Sequence, residues 1–262
     1  MTHASRMVPG QDSATQAAEP VAVVDNPQGR SPILLICEHA SNRLPSRYGT
    51  LGLTPSDLDS HIAWDPGALG VAKALSRRLD APLIHASVSR LVLDLNREPT
   101  APDSICTLSE RTTIPGNLAL DDAERAIRVR EVYDAFHGAV DAFAEARMGT
   151  GQLSAVVSIH SFTPIYRDVP RPWQIGLIFD RNERYARSVA AGLEKDSSLI
   201  VGMNQPYSPA DRVFHTLERH AVRRGLLPLM IEIRNDLIRT QDGQASWANC
   251  LAPLLREGAQ TL

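Results

Sequence analysis

The sequence predicts an α/β fold: a single three-layer α/β/α domain around a mostly parallel, mixed sheet. Three observations carry this reading. Short runs of apolar and β-branched residues at 32–37, 82–88, 91–95, 153–159, 174–179 and 227–231 read as buried strands, as in a parallel sheet covered on both faces. Residues 121–147 place Ala126, Val129, Val132, Tyr133, Phe136, Val140 and Phe143 at helical spacing, which marks a covering amphipathic helix. Four of the strand-like runs end abruptly in polar residues: Glu38-His39-Ala40-Ser41-Asn42, Asn96-Arg97, His160-Ser161 and Glu232-Ile233-Arg234. Ligands of open α/β sheets bind just beyond the carboxyl ends of strands, so these exits are where chemistry is expected.

Bulk properties narrow the function. The 262 residues suit one large α/β domain or two small ones, and a hydrophobic fraction of 43% supplies a full core. A net charge of -3 with no basic run disfavours a nucleic-acid partner. Cys37, Cys106 and Cys250 have no CxxC spacing, which points to a reducing, cytoplasmic setting rather than a disulfide framework. No apolar run approaches the ~18 residues of a membrane span. The first residues include Arg6 but no apolar stretch of the secretory kind.

Residues 1–30, rich in Ala, Gln, Ser, Pro and Gly, are expected to form a flexible arm, with 21–24 as an edge strand or docking segment. The domain proper is expected over 31–262. The first strand feeds a turn in which Glu38, Ser41 and Asn42 crowd His39. Thr54-Pro55-Ser56-Asp57 is a helix start with Pro at the first position. Asp65-Pro66-Gly67 breaks that helix, and a second is expected over 67–79. Asp59 and Asp65 lie in this stretch, where Asp65 is either a site residue or an N-cap. Arg90, Asn96 and Arg97 form a cationic, donor-rich cluster suited to a carboxylate, a role compatible with a structural ion pair between Asp94 and one of the arginines.

Residues 100–120 form a long connection of the kind that serves as a lid or binding loop. His137, inside the long helix, is expected to be a half-buried structural residue. After the 153–159 strand, Tyr166-Arg167 and Arg171-Pro172-Trp173 form either a pocket wall or a rigid turn. In the polar loop 201–208, Asn204 and Tyr207 are placed to face a ligand. His215, Glu218 and His220 lack the spacing of a metal-binding pair and are expected to make surface or local polar contacts. A terminal helix is expected over 247–255.

Taken in order, these segments resemble a known family. Ser158-Ile159-His160-Ser161-Phe162 is similar to the strand carrying the last zinc-binding histidine of metallocarboxypeptidases. Asp94-Leu95-Asn96-Arg97 resembles their carboxylate grip, and Glu232-Ile233-Arg234 their general-base segment. Cys37-Glu38-His39-Ala40-Ser41-Asn42, His61-Ile62-Ala63-Trp64-Asp65, Ser89-Arg90-Leu91, Arg171-Pro172-Trp173 and Asn204-Gln205-Pro206-Tyr207-Ser208 resemble more closely the N-formylglutamate amidohydrolase family, a relative of those enzymes. The resemblance spans roughly 32–237 and implies a zinc-carboxypeptidase-like fold.

It also implies Zn2+ or another divalent metal at His39 and His160. Metallocarboxypeptidases carry a Glu where this chain has Asn42, so the third ligand is Asn42, Glu38, Asp59 or Asp65. Glu232 is implied as the base, with Arg90 or Arg234 facing the developing oxyanion. Asn96, Arg97, Asn204, Tyr207 and Ser161 are implied as substrate contacts. The implied reaction is amide hydrolysis of a small-molecule N-acyl amino acid, N-formyl-L-glutamate giving formate and glutamate. The alternatives are another N-acyl amino acid on the same scaffold, or a carboxylate-binding protein that has lost the metal.

Overall fold

The computed structural model describes residues 20–260. Residues 1–19 of the expected arm lie outside the described residues. Of the arm's remainder, β1 (Ala22–Asp25) joins the main sheet as its edge strand. The other strands of that sheet are β2 (Ile33–Cys37) and β3 (Leu83–Ala86), then β6 (Ala155–Phe162), β9 (Ile175–Ile178), β10 (Val201–Met203) and β11 (Leu227–Arg234). Two small hairpins lie outside it, β4 (Leu108–Ser109) with β5 (Thr112–Thr113), and β7 (Ile165–Tyr166) with β8 (Val169–Pro170).

The sheet order is β1-β3-β2-β6-β11-β9-β10. Its centre, β3-β2-β6-β11, is parallel; β1 runs antiparallel to β3, and β9 antiparallel to β11. Successive residues of a strand point to opposite faces, and here both faces are covered. Ile33, Leu35, Val157, Ile159, Leu229 and Ile231 pack beneath α2 (Ala68–Leu79), α5 (Arg184–Leu193) and α7 (Gln241–Gln260). Leu34, Ile36, Val156 and Met230 pack on the other side. There they meet α4 (Ala135–Gly149), which continues α3 (Asp122–Arg128) through a π-helical stretch, and α6 (His215–His220). The expected three layers are therefore present, and the doubly buried strands account for the uninterrupted apolar runs.

Thr54 caps the short helix α1 (Pro55–Asp59) in a reciprocal capping box with Asp57. The terminal helix is longer than expected, 241–260 rather than 247–255.

The run 91–95 is not a strand. Leu91, Val92, Leu93 and Leu95 are all buried, but the backbone is folded into turns: Asp94 N–H donates to the Ser104 carbonyl at 2.7 Å, and Asn96 N–H to Asp94 Oδ1 at 2.9 Å. An aspartate that accepts from the backbone two residues on makes its own turn. The apolar run reflects burial on all sides, and periodicity alone does not separate that from a strand.

Candidate active site

The strand register assembles the centre of the site. Ile36 of β2 and Met230 of β11 both lie opposite Ser158 of β6, and Glu232 lies opposite His160. Two residues beyond Ile36, Glu38 therefore comes level with His160. Glu38, His160 and Glu232 meet side by side at the carboxyl ends of three parallel strands, on one face. Ser158, two residues before His160, donates to Glu38 Oε2 at 2.7 Å and lies 2.8 Å from His160 Nε2.

Loops complete the cluster. Asp65 arrives on the turn before α2, with its N–H on the His39 carbonyl at 2.9 Å. Gly67 makes that turn with φ 86°, and a Cβ there would lie 2.4 Å from the Ile238 carbonyl oxygen, so the position requires glycine. Asp65 Oδ2 lies 2.8 Å from His160 Nδ1 and 3.4 Å from His39 Nδ1. Each imidazole turns its other nitrogen to a carboxylate: His39 Nε2 to Asp94 Oδ1 at 2.8 Å, and His160 Nε2 to Glu38 Oε2 at 3.1 Å. All of these groups are buried.

The arrangement fits a metal ion. His39, Asp65 and His160 each offer one ligand atom, all within 4.8 Å of one another. His39 Nδ1 is buried without a hydrogen-bond partner among the described residues, the state of a donor atom that awaits one. Metal-bound histidines characteristically hand their second nitrogen to a carboxylate, which Asp94 and Glu38 provide. This buried His-Asp-His group is suited to a divalent cation with an open position.

Electrostatics separate the carboxyl groups. Burial alone raises every one of them, but His160, with Ser158 and His39, carries Glu38 down to about 2. The two histidines hold Asp65 far below the usual carboxylate range, and Arg90 with His39 does the same for Asp94. Glu232 is the exception. Burial, with Asp65 adding, pushes it up to about 7 against the pull of His160, His39 and Arg90, and its Oε2 is buried without a hydrogen-bond partner among the described residues.

A cavity of about 290 Å3 opens over these groups. Of the sequence-derived candidates it brings together His39, His160, Asp65, Glu232, Arg90, Asn96, Arg97, Ser161 and Tyr207. Arg90 reaches Asp94 Oδ2 at 2.5 Å and Asp65 Oδ1 at 3.5 Å. Arg97 donates to the Asp211 carbonyl at 2.7 Å. Both ends of the Asn96 amide are engaged, one donating to the Val213 carbonyl and the other accepting from Thr216 N–H at 3.0 Å.

Four candidates stand elsewhere. Asn42 is turned outward, its amide donating to the Leu58 carbonyl at 3.0 Å and to Asp59 Oδ1 at 3.3 Å, so neither Asn42 nor Asp59 joins the histidines. Arg234, level with Phe162 at the end of β11, forks onto Asp236 at 2.8 and 3.3 Å because the chain turns back there. It therefore neither lines the cavity nor holds Glu232 down. Asn204 accepts from Phe179 N–H at 2.9 Å and shapes the loop that carries Tyr207.

Two further residues take part. Asp94 makes the expected ion pair, with Arg90, and in addition its Oδ1 lies 2.8 Å from His39 Nε2. His61, once its helix breaks, lines the cavity and meets Glu110 Oε2 at 3.0 Å. No spacing signals either contact, since the partners are 55 and 49 residues apart along the chain. Away from the cavity, His137 and His220 are fully buried and His215 is half-buried. His137 Nδ1 meets His220 Nε2 at 2.7 Å, and Tyr133 Oη meets His215 Nε2 at 2.6 Å.

A buried carboxylate beside a His-Asp-His group, at the carboxyl ends of a parallel sheet, is an arrangement suited to a hydrolytic enzyme. Residues 31–239 match the family model described as N-formylglutamate amidohydrolase. The chain belongs to that family and is a hydrolase acting on linear amides. It is 45% identical to gene product Atu2144 of Agrobacterium tumefaciens, over 92% of this chain and 95% of that one, with a TM-score of 0.89. It also shares the fold of the N-formylglutamate amidohydrolase of Ralstonia eutropha JMP134, at 20% identity over 92% of this chain and 97% of that one, with a TM-score of 0.61. No curated protein matches the sequence significantly. No helix among the described residues is long and apolar enough to cross a membrane.

Proposed function

We propose that this site hydrolyses the amide of a small N-acyl amino acid, N-formyl-L-glutamate, with His39, Asp65 and His160 holding a divalent cation, zinc in the first instance. The observation that carries the reading is the placement of Glu232, a buried carboxylate that lines the cavity level with His160 on the next strand, beside the His39-Asp65-His160 group. When bound, such a cation supplies a water nucleophile at neutral pH and polarises the carbonyl. Glu232 takes the proton of the attacking water and returns it to the departing amine, so that formate and glutamate leave. A base near the operating pH serves both directions of that transfer.

Arg90, fixed by Asp94 and Asp65, offers positive charge to the oxyanion. Arg97 takes the substrate's α-carboxylate, and Asn96 holds the loop that presents Arg97. Asp94, Glu38 and Ser158 keep the two imidazoles oriented.

Turnover of N-formyl-, N-acetyl- and N-succinyl-L-glutamate, measured after chelation and re-addition of Zn, Mn or Co, tests the proposal. The expected result is metal-restored hydrolysis with the N-formyl substrate preferred. Preference for another acyl group would move the substrate assignment within the class. Absence of turnover of any N-acyl amino acid under every metal would overturn the reading.

A further inference from the structure

The segment entering β9 and the loop leaving β10 each carry a side chain to which this reaction scheme gives no part, Arg171 and Tyr207. They meet: Arg171 Nη1 donates to Tyr207 Oη at 3.0 Å. The Arg171 guanidinium carbon lies 4.8 Å from the Tyr207 ring centre, 4.6 Å from that of Tyr166 and 5.8 Å from that of Phe162. No carboxylate pairs with Arg171 among the described residues. A half-buried arginine ordinarily takes an acid; this one is held by aromatic faces and a phenol, an arrangement that fixes the rings around it. The loop of Tyr207 is held from the other side. Gly176, opposite Glu232 on β9, leaves room for the Gln205 carbonyl, which a Cβ there would meet at 2.0 Å.

A phenol oxygen that accepts from a cation directs its own hydrogen away from that cation. Tyr207 lines the cavity together with Glu232, so the cavity offers that hydrogen a place to point. Burial, with the Glu232 carboxylate adding, pushes the phenol up to about 12, which keeps that hydrogen in place at working pH.

We infer that Arg171 is a positioning residue that fixes Tyr207 as a hydrogen-bond donor to the scissile carbonyl oxygen, where negative charge develops. The inference rests on the amide-hydrolase reading above. One donor aimed at such an oxygen contributes on the order of 10²–10³ in rate, and loosening it without removing it contributes part of that factor.

The test is a double-mutant cycle on N-formyl-L-glutamate hydrolysis with Tyr207→Phe and Arg171→Gln. Expected are a kcat loss on the order of 10²-fold for Tyr207→Phe and a smaller one, about tenfold, for Arg171→Gln. KM should stay within a few fold in both, with no further loss when Arg171→Gln is added to Tyr207→Phe. Arg171→Lys, which keeps a donor and the charge, should recover part of the loss. A second readout needs no turnover: the vibrational signature of the Tyr207 ring, isolated by subtracting the Tyr207→Phe spectrum, should show an accepting oxygen that Arg171→Gln abolishes. Equal Arg171→Gln losses in both backgrounds would mean a mere tether and overturn the inference, as would an unchanged ring signature. Wild-type protein that hydrolyses no N-acyl amino acid would remove the functional reading and this inference with it.

Discussion

Glu232 and Arg234 stand two residues apart on one strand and have opposite fates. A strand-end carboxylate flanked by a same-side arginine is expected to be held down by it, but Arg234 spends its fork on Asp236 and leaves Glu232 to burial. Glu232→Gln is nearly isosteric and removes only the base. The expected outcome in steady-state kinetics is a kcat loss on the order of 10²–10⁴, with KM within a few fold and metal content unchanged; near-normal kcat would remove Glu232 from the role. His160 is tied to Asp65, Glu38 and Ser158 in the interior. His160→Ala should therefore lose the metal and also destabilise the metal-free protein, by about 3–5 kcal/mol, because buried carboxylates lose their partner. Metal analysis and denaturant unfolding measure the two effects separately. Asn42→Ala serves as the control, with metal content expected to match wild type, since the Asn42 amide is occupied by Leu58 and Asp59.

At the scale of elements, the site depends on turns held at close backbone approaches. Gly67 lets Asp65 turn into α2 against the Ile238 carbonyl. Gly67→Ala forces a side chain into a left-handed backbone conformation and a crowded wall, and should cost about 1–3 kcal/mol in denaturant unfolding. It should weaken metal binding as well, because Asp65 shifts with the turn; an unchanged metal affinity would show that the turn does not set the ligand. The run 91–95 makes a related point. Its leucines and valine are buried like a strand's, yet Asp94 bends the backbone so that its own carboxylate reaches both His39 and Asn96 N–H. A regular strand there would have lacked that local turn.

At the scale of the molecule, the layer of α4 and α6 buries a second histidine cluster. Burial, with the neighbouring positive charges, carries His137 down to about 3; burial does the same for His220, to about 4, with Arg219 and Arg224 adding and Asp141 opposing. Their ordinary value is about 6.5, so the unfolded chain takes up these protons first. Their contribution to stability is complete above pH ~6.5 and falls as the pH drops toward about 4. Thermal unfolding followed between those limits should show a declining midpoint. His137→Gln should flatten the decline, and an equal slope in that variant would place the acid sensitivity elsewhere.

The sequence by itself determined the α/β class, the strands that form the sheet's centre, and His39, His160 and Glu232 at their exits. It could do so because burial on two faces and the abrupt change to polar residues are both written along the chain. Once Ile36, Ser158 and Met230 are in register, the meeting of Glu38, His160 and Glu232 follows from the period of two. Tertiary structure alone brought Asp65 up to the two histidines, turned Asn42 and Arg234 away, and set Asp94 behind His39. Those choices depend on where loops separated by tens of residues are pinned by hydrogen bonds and glycine turns. Such contacts are long-range, and no local periodicity encodes them.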